Sequence, residues 1–274
     1  MKNTVSTFLK MKEEGTKITM LTAYDTVTAR LVNLSGVNSI LVGDSVGNNA
    51  LGYESTNQTT MDDMVHHCAA VSRGNDSCLL ICDMPFLSYE TSDRDAVLNA
   101  GRLIREGHAQ AVKLEGGVEV ASRIKAITDA GIPVCAHIGL TPQSANAFGG
   151  FKVQGKSEEG ARKLIEDALA VQEAGAFAVV IECVPAKLAS LVTEKLDIPT
   201  IGIGAGAGCD GQVLVYYDML AMADFKPKFV KQFAQVGQIM VDAFKAYDAE
   251  VKAGTYPAEE HTFGIKDEVM DKLY

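Results

Sequence analysis

Positive charge is the first thing in short supply. Lys and Arg number 25 against 35 Asp and Glu, leaving a formal charge of −10. A nucleic-acid binder needs clustered Lys and Arg to neutralise phosphates, so that class is excluded. Small anionic substrates are not, because a few cations placed in a cleft outweigh charge spread over a surface. No apolar run reaches the roughly 18 residues of a membrane span. Met1–Gly15 carries charges throughout and has no apolar h-region, so no secretory signal is visible and a cytoplasmic protein is expected. Cysteine pairs with metal-site spacing are also missing. Of Cys68, Cys78, Cys82, Cys135, Cys183 and Cys209, only Cys78 and Cys82 lie close, on one face of a strand-like run. Buried free thiols in a reducing compartment are expected, neither a disulfide scaffold nor a zinc site. The histidines add no transition-metal pattern. His66 and His67 are adjacent on a helix pattern and point apart, while His108 and His261 lie at a helix end and in the tail.

What is present is a repeated unit. With 47% hydrophobic residues in 274, the chain has material for a sizeable core. Short apolar runs alternate with helical patterns that end in Gly. The runs are Ile18–Thr22, Ser39–Gly43, Cys78–Cys82, Ala111–Leu114, Val134–Ile138, Ala178–Ile181, Thr200–Ile203 and Val213–Tyr216. Asp25, Thr60 with Asp63, and Ser92 read as N-caps of the helices between them. Fully apolar short strands separated by helices are parallel strands buried on both faces. Eight units in this length predict an α/β fold, a (β/α)8 TIM barrel, as a single domain over 1–274. An open doubly wound sheet would place a Gly-rich turn after the first strand, and Tyr24-Asp25-Thr26 is not one. Residues 1–15 form an extra N-terminal helix placed to close the barrel's N-terminal end. Pro227–Lys252 reads as the final long amphipathic helix, and 264–274 as a C-terminal extension.

Active sites of such barrels lie at the C-terminal ends of the strands. Those positions hold Asp25, Asp44, Asp83, Lys113 with Glu115, His137, Glu182 and the turn Gly204–Gly206. Asp25 is accounted for as a helix cap. Asp44, Asp83, Glu115 and Glu182 together are costly to bury unless they share a cation, and a hard divalent ion such as Mg2+ takes oxygen ligands. Lys113 and Glu115 share a strand face, which leaves Lys113 as a Schiff-base nucleophile, a charge clamp or the partner of Glu115. His137 reads as a substrate hydrogen-bonder. Gly204–Gly206 is a tight turn or an anion cradle.

At these residues the chain resembles the ketopantoate hydroxymethyltransferase (3-methyl-2-oxobutanoate hydroxymethyltransferase) family. The matching segments are TAYD from Thr22, LVGDS from Leu41, DMPF from Asp83, VKLEGG from Val112 and HIGLTPQS from His137. They continue with FGGFKVQG from Phe148, IECVP from Ile181, IGIGAG from Ile201, DGQVLV from Asp210 and YPAEEHTF from Tyr256. The resemblance implies a barrel of the phosphoenolpyruvate/pyruvate type. It also implies Mg2+-dependent transfer of a one-carbon unit from 5,10-methylenetetrahydrofolate, as co-substrate, to 3-methyl-2-oxobutanoate, giving 2-dehydropantoate for pantothenate biosynthesis. By the same resemblance Asp44, Asp83 and Glu115 are metal positions, and Asp44, Ser45, Asp83 and Lys113 contact the ketoacid. Glu182 is the proton acceptor, and copies of the chain assemble as a homo-oligomer, a decamer. Departures from the family pattern are Val46-Gly47-Asn48 after GDS, Tyr217 in place of His and Ala221 in place of Gly. Two other readings stay open: a Mg2+-dependent 2-oxoacid lyase or aldolase of the same barrel class, and a silent ketoacid-binding barrel. Glu182 argues against the second, since a binder has no use for a base.

Overall fold

The computed structural model describes residues 2–223 and 226–273. Among them, eight parallel strands close into a barrel in sequence order. They are β1 (Ile18–Thr22), β2 (Ser39–Val42), β3 (Leu79–Asp83), β4 (Ala111–Glu115), β5 (Val134–Gly139), β6 (Ala178–Glu182), β7 (Thr200–Ile203) and β8 (Gly211–Leu214). The helices are α1 (Val5–Glu13), α2 (Thr26–Leu34), α3 (Met61–Ser72), α4 (Asp93–Arg105), α5 (Ala121–Asp129), α6 (Ala145–Phe148), α7 (Glu158–Glu173), α8 (Ala186–Lys195), α9 (Tyr216–Met219), α10 (Val236–Ala253) and α11 (Asp267–Met270). The chain divides into two compact units, one of Met1–Tyr216 with Pro227–Val230 and one of Tyr217–Lys226 with Lys231–Tyr274. No helix is long and apolar enough to cross a membrane among the described residues.

The barrel interior is built by alternation. Ile18 and Met20, Leu79 and Ile81, Ala178 and Val180 point inward at every second position and join Leu41, Ala111, Cys135, Ile201 and Val213 in one buried cluster. Phe8 and Met11 of α1 belong to the same cluster, and Phe8 meets Phe177 edge-on with ring centroids 6.1 Å apart. The N-terminal helix therefore plugs the barrel's lower end. Lys12 pins it there, 2.8 Å from Asp210 at the start of β8. The caps read from sequence are in place. Asp25 accepts from Thr28 N, Thr60 and Asp63 form a capping box, and Ser92 accepts from Asp95 N.

Several strand ends shift by one residue from the sequence reading, and the last strand and the last long helix shift by more. The last strand starts at Gly211, two residues before the apolar run, because Gly211 and Gln212 pair with both β7 and β1. Tyr216 instead opens α9. The final helix starts at Val236, not Pro227, and none of its residues is buried. Five cysteines are buried as expected, but Cys183 is half-buried.

Within the second unit, Ala221 has φ +53°, a left-handed conformation costing a β-carbon-bearing residue about 1–2 kcal/mol. The family's glycine would adopt it freely. Ala221→Gly is expected to stabilise the protein by about 0.5–1 kcal/mol, after the extra entropy that glycine gives the unfolded chain. Reversible chemical denaturation would show it as a higher midpoint with unchanged slope; an unchanged or lower midpoint would refute it.

Candidate active site

The alternation that builds the core also builds the site. The inward rows Leu79–Ile81, Ala111 and Ala178–Val180 end, one or two positions further up, in Asp83, Lys113 with Glu115, and Glu182; Cys135 is followed by His137. Register sets these side by side, Asp83 beside Lys113 and Glu115 beside His137. Asp44 follows β2 directly. All except Glu182 are at most 5% exposed, while the Glu182 side chain is 16% exposed. Gly43 lies close against the site. A β-carbon there would lie 2.9 Å from Ser45 Oγ and 3.5 Å from Asp83 Oδ2, the oxygen that accepts the Asp44 backbone N–H at 3.0 Å.

Lys113 Nζ lies 2.8 Å from Asp83 Oδ1 and 3.9 Å from Glu115 Oε1. Its nearer partner is thus Asp83 across the strands, rather than Glu115 two residues on. Burial works against the ammonium, but Asp83, Glu115 and Asp44 together hold its pKa above the ordinary lysine range. The ion pair with Asp83 favours the protonated ammonium, which has no lone pair for Schiff-base chemistry, and so favours a charge role, clamp or structural partner, over a nucleophile. Burial, followed by repulsion from Asp83 and Glu115, pushes the Asp44 carboxyl well above its usual range, and burial raises Asp83 too. Glu115 goes the other way. Burial would raise it, but His137, Lys113 and the Gln143 backbone outweigh that and lower it.

His137 connects the cluster to Glu182. Its Nδ1 is 3.3 Å from Glu115 Oε1 and 3.3 Å from Lys113 Nζ, and its Nε2 is 3.3 Å from Glu182 Oε2. Burial and the Lys113 charge oppose protonation, yet the carboxylates on either side push the imidazole up to about 9. The 3.3 Å contact of Lys113 Nζ with Nδ1 is a hydrogen bond when the ring is neutral with Nδ1 accepting, and a meeting of like charges beside Glu115 when the ring is protonated. In the neutral ring with Nδ1 accepting from Lys113, Nε2 carries the hydrogen and lies 3.3 Å from Glu182 Oε2.

Ser45 Oγ is 2.8 Å from the Tyr24 hydroxyl. Gly204 and Gly206 both have positive φ, and a β-carbon on Gly204 would strike Phe229, so this segment reads as a tight turn. Two residues that the sequence reading passed over join the site. Gln143, 4% exposed, donates from Nε2 to Asp44 Oδ2 at 2.9 Å and from its backbone to Glu115 Oε2 at 3.0 Å. Tyr89 holds Gln143 Oε1 at 2.6 Å. Among the described residues no three His, Cys, Asp or Glu side chains converge to hold a metal ion by themselves. A cavity of about 250 Å3 alongside the loops after β4 and β5 is lined by Ile138, Thr141, Gln154 and Lys163, not by the clustered acids.

The family model for ketopantoate hydroxymethyltransferase matches residues 2–259. A 3-methyl-2-oxobutanoate hydroxymethyltransferase from Clostridium novyi is 66% identical over all of both chains, and one from Enterococcus faecalis is 60% identical, also over all of both. The chain belongs to the ketopantoate hydroxymethyltransferase family. Both alignments include the 264–274 tail, so that extension is shared with these two members of the ketopantoate hydroxymethyltransferase family. Solved structures share the fold at low identity. A phosphonopyruvate hydrolase in complex with oxalate and Mg2+ superposes with TM-score 0.63 at 13% identity, covering 99% of this chain and 95% of that one. A 2,3-dimethylmalate lyase of the PEP mutase/isocitrate lyase superfamily gives 0.58 at 16%, covering 100% and 99%. The fold is therefore the expected (β/α)8 barrel, shared with these solved structures. Of the departures from the family pattern, Asn48 sits in a single π-helical turn, Gly47–Leu51, and donates to Tyr53 O at 3.0 Å. It has no hydrogen bond to the acid cluster among those the structure shows.

Proposed function

We propose that this chain transfers a hydroxymethyl group from 5,10-methylenetetrahydrofolate to 3-methyl-2-oxobutanoate, giving 2-dehydropantoate, with Mg2+ held by Asp44, Asp83 and Glu115. The observation that carries the reading is one partly exposed carboxylate, Glu182, standing beside a buried cluster of carboxylate oxygens that is short of positive charge. The donor set suits a hard cation. Three carboxylates lie around Lys113, with His137 beside Glu115; burial raises Asp44 and Asp83, and repulsion between the acids adds to it. That no three side chains close around one point also suits Mg2+, which is commonly held by one or two carboxylates and completed by water and substrate oxygens. Bound there, Mg2+ would act as a Lewis acid on the keto oxygen and so acidify the neighbouring C–H.

The chain's own residues do the rest. Lys113 and Ser45 receive the anionic end of the ketoacid, with Tyr24 holding the Ser45 hydroxyl. Glu182 takes the C3 proton, and His137 fixes that carboxylate through Nε2. Water cleaves both C–N bonds of the methylene bridge, its oxygen staying on that carbon as a carbonyl and its two hydrogens going to the nitrogens of the tetrahydrofolate released. C3 bonds to the carbonyl carbon, and the proton taken by Glu182 passes to the oxygen to give the hydroxymethyl group. The exposed Ile239, Phe244 and Tyr247 of α10 would be covered in the homo-oligomer, a decamer, that belongs to the same proposal, as does a cytoplasmic setting.

The test is proton NMR of 3-methyl-2-oxobutanoate in D2O with Mg2+, with and without methylenetetrahydrofolate. C3–H exchange and, with the folate, ketopantoate formation are expected, both lost on adding EDTA. Exchange without folate-dependent product would point to the lyase reading, and neither signal to a binder.

A further inference from the structure

Gln143 lies in the loop after β5, yet its side chain ends between the tips of β2 and β3. Its Nε2 donates to Asp44 Oδ2 at 2.9 Å and to the Met84 carbonyl at 3.0 Å. Its backbone N–H donates to Glu115 Oε2 at 3.0 Å. One buried residue therefore touches two of the three carboxylates assigned to the cation, and both through oxygens.

The direction of the amide follows from its neighbours. A carbonyl oxygen only accepts, so Met84 requires the NH2 end on its side. The Gln143 oxygen must then face Tyr89, and at 2.6 Å the phenol donates to it. Having spent its hydrogen there, Tyr89 accepts the Glu115 backbone N–H at 3.2 Å. The chain of donors runs one way, from Glu115 N through Tyr89 and Gln143 to Asp44. Asp44 Oδ2 thereby accepts one hydrogen bond, and Oδ1 takes none from Gln143. For Glu115, Oε2 is occupied and Oε1 is turned toward Lys113 and His137.

From this geometry we infer that Gln143 is a positioning residue for the cation site, fixing the orientation of the Asp44 and Glu115 carboxylates, with Tyr89 fixing the Gln143 amide. The inference rests on the assignment of Asp44 and Glu115 as cation-holding. Groups in such a position typically change metal affinity by about 10–100-fold when removed, although they never touch the ion.

The test is direct Mn2+ binding to the folded protein, followed by the EPR signal of the free ion, for wild type, Gln143→Leu, Tyr89→Phe and Asp44→Asn. Gln143→Leu is expected to raise the Mn2+ Kd by about 10–100-fold. Tyr89→Phe, which keeps the ring but frees the amide to rotate, is expected to raise it by a smaller factor, about 3–10-fold. Thermal melts accompany each variant, and a drop in Tm with unchanged Kd marks a merely structural role and overturns the inference. If Gln143→Leu does not fold, Tyr89→Phe decides by the same criterion. Asp44→Asn separates the two levels. Weak Mn2+ binding there, with wild-type affinity in both other variants, overturns the positioning role and leaves the ligand assignment standing. Wild-type affinity in Asp44→Asn overturns the assignment and the inference together.

Discussion

Glu182→Gln is expected to lower kcat by about 10^2–10^4-fold, the range over which a positioned general base contributes. The amide keeps the shape and leaves an oxygen to face His137 Nε2, which lies 3.3 Å from Glu182 Oε2. What it loses is the capacity to accept a proton. Asp44, Asp83, Lys113 and Glu115 form their contacts without Glu182, so binding of Mn2+ and of the ketoacid should stay within a few-fold of wild type. The sharp readout is C3–H exchange of 3-methyl-2-oxobutanoate in D2O without folate, since it isolates proton removal from one-carbon transfer. Exchange and turnover should fall together. A variant that exchanges at the wild-type rate would remove Glu182 from the base's role, and one that exchanges normally but forms no product would move its role to the folate step.

Much of this site was legible because a strand has only two faces. Positions 79, 81 and 83 lie on one side of β3, so an apolar core beneath announces a functional side chain above. The same logic reaches Lys113, Glu115, His137 and Glu182. It fails wherever contacts cross between strands. The two-residue spacing offers Glu115 as one partner for Lys113, but barrel register puts Asp83 beside it, and register is a property of the closed sheet rather than of either segment. Gln143 and Tyr89 were missed for another reason. Both are uncharged and lie in loops, where no period marks which way a side chain points, and burying a neutral side chain raises no question of compensation. The start of β8 was hidden because Gly211 and Gln212 carry no hydropathy, although their backbones pair on both sides. Pro227 and the residues after it resemble a helix in composition, yet the regular turns begin only at Val236.

The buried charge pattern makes a second large effect calculable. Lys113→Met removes the one ammonium from among Asp44, Asp83 and Glu115, and breaking a buried pair by deleting one partner typically costs about 3–5 kcal/mol. For a chain of this size that is a fall in Tm on the order of 10 °C. The pH dependence gives the cause away. Asp44 and Asp83 both hold protons more tightly in the fold than at their ordinary value of 3.8. The stability linked to them is complete below that value and is lost as pH rises through the raised folded values. Lys113 limits the loss, because its charge draws both carboxyls down. Without it the loss grows, so the gap between Lys113→Met and wild type should be smallest at acid pH, near the ordinary carboxylate value of 3.8, and widen as pH rises through the raised folded values. Adding Asp83→Asn to Lys113→Met should recover part of the deficit, since it deletes the carboxylate left 2.8 Å from the missing ammonium. Denaturation curves across pH decide the matter. A Lys113→Met protein within about 1 kcal/mol of wild type at neutral pH, or a gap that does not change with pH, would mean the acids are balanced by something other than Lys113.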